Sequence, residues 1–191
     1  MTRVVGGLAR GVRLSVPNAG TRPTSDRARE AVFSSLESVR GPWTDATVLD
    51  LYAGSGACGL EAASRGAAQV DLVESDRKAV AVIARNRESV LASGAQGVVE
   101  IHQAAAERWV TAISNQAGYD VVFCDPPYSA PASDVAAVLA AVAAAGALAQ
   151  EAFVVLERSA RDPEWLWSAP FMARWDRRYG EAHVWIAELD A

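Results

Sequence analysis

Cysteine is scarce in this chain: two among 191 residues, Cys58 and Cys124. A pair so placed, far apart and each inside an apolar segment, excludes a disulfide framework and a cysteine-built zinc site, and fits a reducing cytoplasm. Histidine is as sparse. His102 and His183 stand apart in sequence, without the grouping of metal ligands, and are read as structural. No apolar run reaches the length of a membrane span; the alanine-rich stretch 135–148 comes nearest and reads as a helix covering a sheet. The opening Met1-Thr2-Arg3-Val4-Val5-Gly6-Gly7 carries no signal-peptide pattern. Lysine is nearly missing, since 17 of the 18 basic residues are Arg.

What is present has a polarity. The net charge is −5, yet residues 1–40 hold seven Arg against Asp26, Glu30 and Glu37, while the remainder holds 11 basic and 20 acidic residues. Basic density at one end of an acidic chain suits a polyanionic partner, nucleic acid first, with a solvated Arg surface as the plainer alternative. The length bounds one domain or a domain with a small appendage. The division expected is a basic hairpin and helix at 1–40, suited to a nucleic-acid contact, and a larger domain at 41–191.

Along the chain, residues 2–16 read as a β-hairpin with Arg on one face. A helix follows, N-capped by Thr24 or Ser25, with an apolar stripe of Val32, Phe33, Leu36 and Val39, and Gly41-Pro42 ends it. From residue 46 the pattern alternates. Strands are expected at 46–52, 69–74, 98–102, 119–124 and 152–157, and helices near 57–66, 76–93, 104–116 and 132–146. Such alternation implies a parallel sheet covered on both faces. Phe171–Tyr179 and Ala182–Leu189, joined by Gly180-Glu181, add an antiparallel hairpin at its edge. Trp165, Trp167, Trp175 and Trp185 cluster there and are read as packing, ahead of base stacking.

Two motifs carry the chemistry. The strand Tyr119–Cys124 runs into Asp125-Pro126-Pro127-Tyr128. An aromatic amine is a poor nucleophile because its lone pair is delocalised into the ring. A carboxylate and a backbone carbonyl that accept its two N–H groups favour the pyramidal geometry needed for attack. Asp125 offers the carboxylate, the Asp-Pro-Pro backbone the carbonyl, and Tyr128 a face against which the base stacks. Alone, the tetrapeptide serves equally as a turn that caps a strand. The second motif, strand 47–52 followed by Ala53-Gly54-Ser55-Gly56-Ala57-Cys58-Gly59, is a glycine-rich turn opening a helix. Twenty residues beyond Gly54, Glu74 ends the next strand, where a carboxylate can accept both ribose hydroxyls. Gly54-x-Gly56-x-x-Gly59 also matches a dinucleotide fingerprint. Asp50 just before the turn suits a cationic sulfonium better than a pyrophosphate, although it also reads as an anchor for the turn's N–H groups.

With these residues in view, the chain resembles the RsmD family of small-subunit ribosomal RNA guanine-N2 methyltransferases. The likeness rests on Arg3-Val4-Val5-Gly6-Gly7, Leu14-x-Val16-Pro17, Arg22-Pro23-Thr24-Ser25-Asp26-Arg27-x-Arg29-Glu30, the segment 48–56, Glu61-Ala62-x-Ser64-Arg65-Gly66-Ala67 and the tetrapeptide. It implies a Rossmann-like S-adenosylmethionine-dependent methyltransferase fold: an α/β protein whose seven-stranded, mostly parallel sheet ends in the C-terminal antiparallel hairpin, with the N-terminal hairpin and helix added. It implies S-adenosyl-L-methionine as cofactor, held by Asp50, Gly54, Ser55, Gly56 and Glu74, with Ala105 and Ala106 near the adenine. There this chain lacks the Asp or Asn of many relatives. It implies Asp125, Pro126, Pro127 and Tyr128 as the catalytic group and no metal. The RNA contacts expected are Arg3, Arg10, Arg13, Arg22, Thr24 and Arg27. The partner implied is 16S ribosomal RNA in a partly assembled small subunit, met by a cytoplasmic monomer that binds no membrane. The alternatives are a DNA adenine-N6 methyltransferase, for which no sequence-reading domain is visible, an NAD-dependent oxidoreductase, which leaves the tetrapeptide unexplained, and a non-catalytic RNA-binding assembly factor.

Overall fold

A computed structural model describes residues 2–17, 25–113 and 118–190. In chain order its elements are β1 (Thr2–Arg3), β2 (Arg13–Leu14), α1 (Asp26–Arg40), β3 (Thr47–Leu51), α2 (Ala57–Arg65), β4 (Gln69–Glu74), α3 (Arg77–Ala92), β5 (Val98–Gln103), α4 (Ala106–Ala112), β6 (Tyr119–Cys124), α5 (Ala132–Ala144), β7 (Leu148–Ser159), β8 (Phe171–Tyr179) and β9 (Ala182–Leu189). The large sheet has seven strands in the order β5-β4-β3-β6-β7-β9-β8. The first five are mutually parallel, and β9 pairs antiparallel with both β7 and β8. The expected architecture is therefore present.

Strand alternation sends successive side chains into two cores. Val48, Val70, Leu72, Phe123 and Val155 face α1 and α2, while Leu49, Leu51, Val73, Cys124 and Leu156 face α4 and α5. The order reverses at β3 and β6: the chain winds outward to β5 on one side and returns to β6 on the other. Ligand clefts in open α/β sheets form at such a switch point, beyond the strands' carboxyl ends.

Where strands and helices differ from expectation, the causes are local. β7 begins at Leu148 instead of 152, because Glu151 takes a positive φ of 59° and the β6–β7 register shifts between Tyr119 and Val121, an irregularity that lets pairing resume. α4 covers only Ala106–Ala112, its end marked by Ile113 in extended conformation; residues 114–116 of the expected helix lie outside the described residues. Ser25 is the N-cap of α1, accepting the Ala28 N–H at 3.1 Å. Val39 leaves the expected stripe and is exposed, and Ala28 and Arg29 complete the buried face instead. The tryptophans are packing residues: Trp165 and Trp167 lie against the α5 side, Trp175 against the opposite core, and Trp185 is buried.

The N-terminal hairpin is shorter in ladder than expected. Only Thr2 with Leu14 and Arg3 with Arg13 pair as strand. Beyond that ladder, four of its backbone N–H groups donate to α2. The Val5 and Gly6 N–H groups donate to the two Glu61 carboxylate oxygens at 2.8 and 2.7 Å, Ala9 donates to Ser64 Oγ at 2.9 Å, and Leu8 to the Ser64 carbonyl at 2.8 Å. Gly7 sits so close to that turn of α2 that a Cβ would lie 1.9 Å from the Ser64 carbonyl oxygen, which excludes any larger residue. Val4, Ala9 and Leu14 enter the same core as Val32, Phe33 and Leu60. Among the described residues no helix is long and apolar enough to cross a membrane.

Candidate active site

At the carboxyl ends of β3, β4 and β6 lies a cleft of about 560 Å³, within the range of small-molecule sites. It brings together Asp50, Gly54, Ser55, Glu74, Asp125, Pro126, Pro127 and Tyr128, so two motifs seventy residues apart line one space.

The glycine turn is held from three sides. Gly56 at φ 76° closes it, a conformation side chains resist. The Gly54 N–H donates to Glu74 Oε2 at 2.9 Å, while Glu74 Oε1 accepts the Asp76 N–H at 2.8 Å, so Glu74 bridges the β3 and β4 turns. Asp50 accepts the Gly59 N–H at 2.9 Å, and a Cβ on Gly59 would meet Leu72 at 2.3 Å. The anchoring role of Asp50 is thus real. It also borders the cleft, and burial, followed by the charge of Glu74 and against the Gly59 hydrogen bond, raises its carboxyl to about 7. On the third side, Asn86 of α3 donates to the Ser55 and Ser15 carbonyls, both at 2.9 Å, and accepts the Ser15 N–H at 2.8 Å. That clamp brings Val16 and Pro17 into the cleft wall.

Asp125 follows the last residue of β6, and its N–H reaches the Leu51 carbonyl at 3.4 Å. Its carboxyl is held well above the ordinary range by burial, then by the charges of Glu157 and Asp50, with Arg158 acting against them. Tyr128 is 44% exposed and lines the cleft. The loop behind it is pinned by Arg158, whose Nη2 donates to the Ala130 carbonyl at 2.9 Å and whose Nε donates to Asp162 at 3.0 Å.

Electrostatically the cleft is one-sided. Asp50, Glu74, Asp76 and Asp125 line it, and among the described lining residues there is no Lys or Arg. A pyrophosphate would meet four acidic side chains and no countercharge. A sulfonium cation finds its complement.

Ala105 and Ala106 are not among the residues lining this cleft. Ala105 precedes α4 and Ala106 is buried in the second core, while the Ala104 N–H donates to the Glu74 carbonyl at 3.0 Å and keeps the segment alongside. Arg3, Arg10, Arg13 and Arg27 are all exposed. Arg22 and Thr24 lie outside the described residues. Arg29, counted with the basic end, does not belong to that surface: it is 1% exposed, 3.0 Å from Asp26 and 3.6 Å from Glu61. Spacing also left Tyr52, Ser75, Asp76 and Cys58 unassigned, although each lines the cleft. The positive φ of Tyr52 and its hydrogen bond to Glu107 at 2.9 Å follow from tertiary structure alone.

His102 is less isolated than its sequence suggests. Asp71, Glu100 and His102 bring potential ligand atoms within 4.8 Å of one another. The Asp71 oxygens are already engaged by His102 at 2.7 Å, Tyr119 Oη at 2.8 Å and Gln69 at 3.1 Å, and His102 stacks on Trp109. The group is a hydrogen-bonded network, and none of its three members lines the cleft.

Comparison with known proteins agrees with this architecture. The profile of the family described as "Conserved hypothetical protein 95" matches residues 2–188. Ribosomal RNA small subunit methyltransferase D of Escherichia coli K12 is 39% identical over 127 residues, 66% of this chain and 60% of that protein's length. The putative rRNA methyltransferase YlbH of Bacillus subtilis is 33% identical over 81% of each chain. Among solved structures, the putative methyltransferase yhhF from Escherichia coli superposes with a TM-score of 0.81 at 31% identity, covering 99% of this chain and 98% of its own.

Proposed function

The chain belongs to the conserved hypothetical protein 95 family, that of the RsmD methyltransferases, and from that premise we propose that it transfers a methyl group from S-adenosylmethionine to the exocyclic N2 of a guanine in 16S ribosomal RNA. The observation that carries this reading is the convergence of the glycine turn, Glu74 and the Asp125–Tyr128 tetrapeptide on one acidic cleft.

Glu74 holds the ribose hydroxyls, the turn at Gly54, Ser55 and Gly56 approaches the cofactor backbone, and Asp50 and Asp125 face the cationic end. S-adenosylmethionine supplies a methyl already activated on sulfur. Asp125 and the tetrapeptide backbone accept the two N–H groups of the guanine amine, directing its lone pair at that methyl. Tyr128 covers the base once it has left its stack. Positioning provides most of the rate, and the methylated cationic amine is acidic enough to lose its proton without a strong base. Residues 1–40 form the RNA-contacting extension, with Arg3, Arg10, Arg13, Arg22, Thr24 and Arg27 toward the phosphates, and residues 41–191 the catalytic domain. For the adenine, the segment at Ala105, kept beside Glu74 by the Ala104 N–H, offers backbone groups only, with Ala106 buried behind it. The enzyme acts as a cytoplasmic monomer on a partly assembled small subunit.

The test is transfer of tritium from methyl-labelled S-adenosylmethionine to small-subunit particles, with digestion to nucleosides. N2-methylguanosine is the product expected; label in adenosine, or none, rejects the proposal.

A further inference from the structure

Four carboxylates gather at the sheet's carboxyl end: Glu74, Asp125 and Glu157 at one level of the register, and Asp50 one side-chain layer below them. Asp50 lies two residues beyond Val48, Glu74 two beyond Leu72, Asp125 two beyond Phe123 and Glu157 two beyond Val155, and all four reference residues belong to the core beneath α1 and α2. Alternation therefore sends all four carboxylates to that one face. The strands bearing them are consecutive, in the order β4-β3-β6-β7. Cys124 pairs with Leu156, so Asp125 and Glu157 are the next neighbours across the parallel ladder. Both line a cavity of about 20 Å³, shared with Arg29, Cys58 and Phe123, which has room for about one water. Asp125 and Cys58 border this cavity and the large cleft alike. Glu157 lines only the small one and is 6% exposed, so it supports the site from behind, without touching a bound ligand.

We propose that Glu157 is a positioning residue of the site, a second carboxyl that shares a proton with Asp125 until a cation occupies the adjoining cleft, so that the enzyme favours the cationic cofactor over its neutral demethylated product. The groups that face Asp125 fit this role. Glu157 from β7 and Asp50 from β3 oppose its ionisation, while Arg158 from β7 favours it. Arg29 from α1 lines the same cavity but is bound to Asp26 and lies 3.6 Å from Glu61. Two neighbouring buried carboxyls retain one proton more readily than two isolated ones, because both cannot be charged without cost. A sulfonium at the cleft supplies the missing positive charge. The proton passes to solvent, and Asp125 becomes the acceptor the substrate amine requires. S-adenosylhomocysteine carries no such charge and displaces no such proton.

The inference rests on the cleft being the cofactor site, and its test separates the two. Calorimetric titration of the full chain with S-adenosylmethionine and with S-adenosylhomocysteine, in buffers of different ionisation enthalpy, counts the protons released. S-adenosylmethionine should release up to about one proton more, and its preference over S-adenosylhomocysteine should rise by up to about tenfold per pH unit while the pair holds that proton. Glu157→Gln, with folding checked by thermal denaturation, should lose most of that difference. The ligands' own amino groups titrate equally in variant and wild type. Equal proton release by the two ligands overturns the inference and, needing only the wild type, stands even where Glu157→Gln fails to fold. Retention of the difference in Glu157→Gln with its loss in Asp50→Asn places the proton on Asp50 and overturns it also. Binding of neither ligand would instead contradict the cofactor site itself.

Discussion

Replacing Asp50 by Asn isolates what an acidic cleft costs the empty protein. Asn keeps an oxygen for the Gly59 N–H, now accepted at 2.9 Å, and removes only the charge. In the unfolded chain Asp50 ionises near its ordinary value, 3.8, whereas in the fold burial lifts it to about 7. Across that window the unfolded state binds fewer protons, so this group's contribution to stability declines as pH rises and levels off above 7. Roughly three pH units at about 1.4 kcal/mol each set an upper limit of about 4 kcal/mol. Urea denaturation of the cofactor-free protein should find Asp50→Asn more stable than wild type by about 1–4 kcal/mol at pH 8, with the gap closing toward pH 4. The same variant should gain less stability from saturating S-adenosylmethionine, because the wild-type carboxylate is among the cleft charges that a cation offsets. Equal stabilities at pH 8, or a gap that does not change with pH, would show that Asp50 carries no buried charge and refute the reasoning.

Asp125→Ala should lower single-turnover methylation several hundredfold, the loss of a transition-state acceptor worth about 3–4 kcal/mol, with cofactor affinity little changed; near-normal turnover removes Asp125 from the mechanism. Glu74→Ala should weaken S-adenosylmethionine and S-adenosylhomocysteine alike by roughly 1.5–3 kcal/mol, and unchanged calorimetric affinities would mean that the carboxylate serves only the Gly54 and Asp76 N–H groups. The triple substitution of Arg3, Arg10 and Arg13 by Ala should weaken RNA binding and flatten its salt dependence while leaving cofactor affinity intact. If the salt slope persists, the hairpin is not the RNA grip. Arg29→Met should behave in the opposite way, leaving Glu61 buried without that partner and destabilising the fold by about 3–5 kcal/mol, measurable by denaturation.

The contrast between Arg3 and Arg29 shows what the sequence could and could not disclose. Both enter a count of basic residues identically, yet one is exposed and the other is enclosed by Thr2, Asp26 and Glu61. Charge density is read along the chain, whereas burial is decided by which helix packs on which hairpin. The tetrapeptide at 125–128, the glycine turn and Glu74 were legible as parts of one cleft because each is contiguous or at fixed spacing within one β-turn-α unit. Glu157 and Asn86 were not, since each acts through a neighbour brought close only by sheet order or helix packing. The strand alternation gave the sheet, while the positive φ at Glu151 and the shift at Tyr119 moved the start of β7 in a way no apolar pattern records.

The central claim, guanine-N2 methylation dependent on Asp125, is tested most directly in cells. Small-subunit RNA from cells lacking this protein, complemented with wild type or with Asp125→Ala, would be digested and N2-methylguanosine mapped to its position. The account predicts one guanine methylated with wild type and unmethylated with the variant, although the variant protein accumulates normally. Full methylation with Asp125→Ala, or no difference between complemented and uncomplemented cells, would contradict it.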